Sequence, residues 1–152
     1  MGKDARPHWH ENADAIAIVT SATAAIRGVL RLGLDVCEEH KKSLISRMLW
    51  KITEANGKYN TRYYSEKALK ADNSNRRHDH VWTRKGMIER VLEKPDNLKH
   101  EVQRAIGCIV TRSEHETLAS FDAQSDGWDR YKKAKIKVWD LKEQRRISDD
   151  WQ

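Results

Sequence analysis

The chain has 152 residues, of which 38% are hydrophobic and 34% charged, with a formal net charge of +6 and a pI of about 9.4. That length suits one domain with one core, and the longest apolar run, 13–34, is interrupted by Asp14, Arg27 and Arg31, which argues against a membrane span. The first residues lack the apolar stretch of a secretory signal. The chain therefore reads as a soluble cytoplasmic protein without a membrane partner.

The basic excess favours acidic partners, nucleic acid first and an acidic protein second. It is densest between Lys51 and Arg90, where ten basic residues face five acidic ones.

In chain order, residues 1–11 have no periodicity and read as a flexible segment. Ile16, Val19, Thr23, Ile26, Leu30 and Leu34 recur at three- and four-residue steps, which predicts an amphipathic helix stopped near Gly33. Asp35 with Glu38 suggests the cap of a second helix, whose stripe is Leu44, Ile45, Met48, Leu49 and Ile52. The two helices should pack as an antiparallel hairpin. Lys58–Ser65 favours extended chain, and Ser65 can cap a short helix through Ala71.

Asp72 to Asn75 reads as a loop, and His80-Val81-Trp82 as a short strand. Thr83 caps a helix carrying Met87, Ile88, Val91 and Leu92. Asp96 suits the start of the next, with Leu98, Val102, Ala105 and Ile106 facing inward. Cys108-Ile109-Val110 suggests a buried strand, and Thr111 with Glu114 a capping box for a helix through Phe121. After a turn at Ser125-Asp126-Gly127, a helix over 128–134 and a strand at Ile136, Val138 and Trp139 complete the folded part. Together these predict a mainly α-helical α+β fold: an N-terminal antiparallel helical hairpin, then short helices around a minimal two- or three-stranded sheet. Residues 12–141 form one compact domain and 142–152 a polar tail.

Two clusters carry chemistry. The first is Arg76-Arg77-His78-Asp79-His80. On extended chain, residues two apart share a side, so His78 and His80 should converge. Two imidazoles with Asp79 nearby could hold a divalent metal whose bound water attacks a phosphodiester. His115, or His8 and His10, would supply a further ligand. Asp79-His80-Val81, with Asp96-Asn97-Leu98 further on, resembles the short core of the His-Asn-His endonucleases, which implies a metal-dependent nuclease. The chain departs from that pattern two helical turns beyond Asn97, where Ala105 and Ile106 stand instead of His or Asn.

The second cluster is basic and aromatic: Lys51, Lys58, Tyr59, Arg62, Tyr63, Tyr64, Lys67 and Lys70, extended by Arg76, Arg77, Arg84 and Lys85. Cations displace counterions from phosphates, and exposed rings stack on unpaired bases. Trp50, Trp82 and Trp139 fall within apolar patterns and read as core, whereas Trp9, Trp128 and Trp151 lie near polar ends or turns. Cys37 and Cys108 match no metal spacing and read as buried thiols.

The leading expectation is a nucleic-acid-binding protein using the Lys51–Lys85 region. A metal-dependent nuclease centred on His78, Asp79 and His80 is the enzyme alternative, with a divalent metal its one cofactor. A small interaction or regulatory protein with an acidic partner, for example a phage or defence-related factor, is the third.

Overall fold

The computed structural model describes residues 6–151, so residues 1–5 of the expected flexible segment 1–11 lie outside the described part. Seven α-helices and a five-stranded mixed sheet are found among the described residues. Helices α1 (Ala15–Leu30) and α2 (Glu38–Thr53) form the expected hairpin. Their apolar stripes meet at Ala22, Ile26, Ile45, Leu49 and Ile52. Helices α4 (Arg84–Glu93) and α5 (Leu98–Gln103) close the same core with Met87, Ile88, Val91 and Leu98. Burying each such aliphatic chain is worth roughly 1.5–3 kcal/mol, which makes this core the main support of the helical half.

Strand β1 (Tyr63–Ser65) lies at the centre of the order β2-β3-β1-β4-β5, parallel to β3 (Gly107–Thr111) and antiparallel to β4 (Val138–Asp140). Edge strand β2 (Arg76–His80) pairs antiparallel with β3, and β5 (Arg145–Arg146) with β4. The sheet therefore exceeds the minimal two or three strands. The additions are very short: three residues at β1 and two at β5, lengths at which apolar alternation leaves no readable trace.

One face of the sheet buries Cys108, Val110 and Val138 with Leu118 of α6 (Arg112–Ala119) and Tyr131 of α7 (Trp128–Lys133). The other gathers Tyr64, Ile109, Leu141 and Ala68 of α3 (Glu66–Lys70). Half-buried Trp82 touches both the helical core and the α6–α7 core.

Caps anticipated from side-chain chemistry are in place. Ser65, Thr83 and Thr111 each accept a backbone N–H at the start of their helices. Glu114 completes the capping box and accepts the Ser65 hydroxyl at 2.6 Å, tying the α6 start to β1.

Several boundaries differ from expectation. Helix α1 ends at Leu30, before Gly33, and leaves Leu34 fully exposed. Cys37, not Asp35, occupies the cap of α2, and its thiol is exposed, contrary to the buried thiol expected; Cys108 is buried. Strand β2 covers 76–80, not 80–82, because Arg76 to His80 pair with Thr111 to Gly107. Asp96 lies within a 3-10 turn, Pro95–Asn97, that leads into α5.

Candidate nucleic-acid interface

The pleat of β2 sorts the first cluster. His78 and His80 project to one side, with ring centroids 5.6 Å apart, as their spacing requires. There they meet Trp50 of α2, at 5.7 and 4.8 Å respectively. His80 Nδ1 lies 3.3 Å from the Thr53 hydroxyl, while neither ring nitrogen of His78 has a hydrogen-bond partner among the described residues. Burial lowers both imidazoles, His78 to about 4 with Lys58 adding to the effect, and His80 to about 3 with His78 and Arg84 adding. Both are therefore neutral at pH 7.

Asp79 projects to the other side. Its carboxylate accepts Arg130 Nη2 at 2.9 Å and the Tyr131 hydroxyl, and His115 Nε2 stands 3.7 Å away. The three residues expected to share one ion are thus divided by the sheet, and the fourth candidate, His115, stands beside Asp79. No group of three or more His, Cys, Asp and Glu side chains among the described residues is arranged around a metal position. His8 and His10 are exposed in the N-terminal segment.

Arg130 and Tyr131, to which nothing in the sequence drew attention, are 2% and 0% exposed. The Arg130 guanidinium also donates to the carbonyls of His80 and Val81 at 2.5 and 3.1 Å and to Asp122 at 2.8 Å. It is a structural bolt between α7 and the end of β2. Burial raises Asp79 against the opposing pull of this guanidinium.

Gly107 stands opposite His80 in the β2–β3 register, and its Cα faces the His78 ring. A Cβ there would overlap His78 Nε2, approach Cε1 to 2.7 Å and stand 3.1 Å from the Thr61 methyl. Gly107→Ala is expected to lower stability by about 1–3 kcal/mol, since the imidazole is wedged against Trp50 and has little space to retreat. Urea unfolding checks this; an unchanged midpoint would show that the ring moves freely.

The second cluster is divided as well. Arg62 is committed to a two-pronged pair with Asp140, at 2.8 and 2.5 Å, and lies 3.7 Å from Glu143. Tyr64 is 7% exposed and donates its hydroxyl to the Tyr59 carbonyl, while Tyr63 packs edge-on against Trp128 at 5.1 Å. Neither tyrosine offers the open stacking face expected of it, because both rings complete the hydrophobic layers of the sheet. Lys67 stands apart on α3, beside a cleft of about 260 Å³ that it shares with Glu66, Glu114, Lys135 and Lys137.

The remaining cations lie on or next to α2, β2 and α4, of which Trp50, His80 and Arg84 are in contact. Lys51 follows Trp50 at the end of α2, Lys58 influences His78, and the Arg84 guanidinium stacks over Trp50 at 4.8 Å. Lys85 lies beside Arg84 along a cleft of about 360 Å³ with Lys42 and Ser46. Arg76 and Arg77 sit at the start of the same edge strand, donating to the carbonyls of Ala68 and Ser74. Among the described residues, none of these six cations has a carboxylate within 4.0 Å, whereas Arg62, Arg90, Arg104, Arg130, Arg145 and Arg146 all do.

All six tryptophans are half-buried, so the three read as core and the three near polar ends or turns have the same status. Trp50, read as core, is the ring over which the Arg84 guanidinium lies. Its position beside Leu49 in the helical stripe concealed this, because the contact with Arg84 spans 34 residues of chain. Compared with protein-family models, with curated proteins and with solved structures, the chain matches none.

Proposed function

We propose that the protein binds nucleic acid through the surface made by the C-terminal half of α2, the edge strand β2 and the start of α4. The observation that carries this reading is availability: among the described residues Lys51, Lys58, Arg84 and Lys85 have no carboxylate within 4.0 Å and Arg84 lies over Trp50, whereas Arg62, Arg90 and Arg130 are spent on internal ion pairs. Unpaired cations in one place release counterions from a polyanion, and binding then weakens linearly in log affinity against log salt. Arg76, on the same side of β2 as His78 and His80, lengthens the strip.

Lys51 and Lys85 are exposed and bonded to nothing that the fold needs. Reversing both, Lys51→Glu and Lys85→Glu, is expected to weaken binding of a labelled duplex at least about tenfold and to flatten the salt slope by about two. Melting temperature should stay within a few degrees. Fluorescence anisotropy across a salt series reads both quantities. A wild-type protein that fails to bind at about 50 mM salt, or a double variant that binds as well as wild type, would remove this reading.

A further inference from the structure

The aromatic rings near this surface are covered. Trp82 lies beneath Arg104 at 4.5 Å and Arg90 at 5.7 Å, and Trp139 beneath Arg6 at 3.7 Å and Arg146 at 5.7 Å. Tyr63 and Tyr64 are packed as described, and even Tyr59, 44% exposed, has the Lys58 ammonium over its ring. Trp50 has His80 against it and Arg84 over it. Stacking of unpaired bases, worth about 1–3 kcal/mol per base where a ring lies open, has no ready platform here.

Arg84 differs in one respect from Arg90, Arg104 and Arg146, which also cover tryptophans. Arg90 and Arg104 both donate to Glu101, and Arg146 faces Glu66 and Asp149. Arg84 has no carboxylate; its one protein acceptor among the described residues is the Ser46 hydroxyl, 3.1 Å from Nη1. Its guanidinium lies over an indole and donates to a hydroxyl, with no other protein acceptor among the described residues. A guanidinium ordered beforehand loses little freedom on binding, and its planar fork matches two oxygens of one phosphate.

We infer that the partner is a duplex, gripped by its phosphate backbone, and that Arg84, immobilised on Trp50, is the residue that engages a phosphate with two parallel hydrogen bonds. This rests on the nucleic-acid reading above and narrows it to one class of nucleic acid and one anchoring side chain. Phosphates are closer together along a duplex than along a single strand, which favours the duplex when bases contribute nothing. Contact of this kind is indifferent to base sequence.

The deciding substitution is Arg84→Lys, which keeps the charge and removes the fork. Binding of a labelled 16-base-pair duplex should weaken about tenfold at an unchanged salt slope, with the melting temperature preserved. Ser46→Ala, which only loosens the guanidinium, should weaken binding by about threefold. Oligothymidine of equal length should bind wild type at least about tenfold more weakly than the duplex, and two duplexes of unrelated sequence should bind alike. An Arg84→Lys protein that binds within about twofold of wild type overturns the anchor while leaving the charged surface standing. Oligothymidine binding as tightly as duplex overturns the backbone assignment, and wild-type protein that binds neither overturns both this inference and the reading beneath it.

Discussion

Replacing Arg130 by methionine is expected to cost about 3–5 kcal/mol, enough to unfold much of the population at 37 °C. The guanidinium is 2% exposed and meets Asp79, Asp122 and the carbonyls of His80 and Val81. Methionine fills similar space but leaves the Asp79 carboxylate, 5% exposed, facing only the Tyr131 hydroxyl and the more distant His115. Two carbonyls at the end of β2 lose their donor at the same time, each loss adding about 1–3 kcal/mol where water cannot replace it. Asp122→Asn, by contrast, alters the partner that is 48% exposed and should cost under about 1 kcal/mol. Circular-dichroism melts of the two variants provide the comparison. Equal, small losses in both would mean that Arg130 is a surface pair in practice.

The second large effect is loss of stability in acid. His78 and His80 titrate near 6.5 in the unfolded chain but at about 4 and about 3 in the fold, because burial penalises the imidazolium and the nearby cations Lys58 and Arg84 repel it. Between pH 6.5 and 4 the unfolded state therefore holds more protons. The stability owed to these groups is complete above about pH 6.5 and is lost as pH falls toward their folded values. At pH 5 each contributes a loss of about 2 kcal/mol, about 4 kcal/mol together. Asp79, raised by burial, acts in the opposite sense and offsets part of this. The melting temperature should drop by roughly 10 °C between pH 7.5 and 5. His80→Phe, which retains a ring against Trp50 and removes one titrating group, should show about half that drop. A melting temperature independent of pH over this range would mean that the imidazoles are already hydrated in the fold.

The folded imidazoles stay neutral at pH 7, so they add no charge to the proposed surface. Nucleic-acid affinity at constant salt should accordingly gain nothing from His78 and His80 between pH 7 and 8.

What the sequence by itself determined was carried by local chemistry, though not all local signals held: the cap of α2 is Cys37 and not Asp35. The hairpin of α1 and α2 was legible because Ile26, Ile45, Leu49 and Ile52 repeat at helical spacing. The starts of α3, α4 and α6 were legible because Ser65, Thr83 and Thr111 satisfy free N–H groups within their own turn. The convergence of His78 and His80 followed from strand geometry alone.

Only the tertiary structure decided which cations remained available. Arg62 and Arg84 look alike along the chain, yet one meets Asp140, 78 residues away, and the other meets an indole. Tyr63 and Tyr64 left the surface because β1 lies mid-sheet with both of its faces covered, and strands of three residues announce neither their position nor their neighbours. The Asp79–Arg130 pair bridges 51 residues. Ion pairs and ring contacts between distant segments depend on how the layers come together, and periodicity, which records only which side of an element is buried, contains no information about what it is buried against.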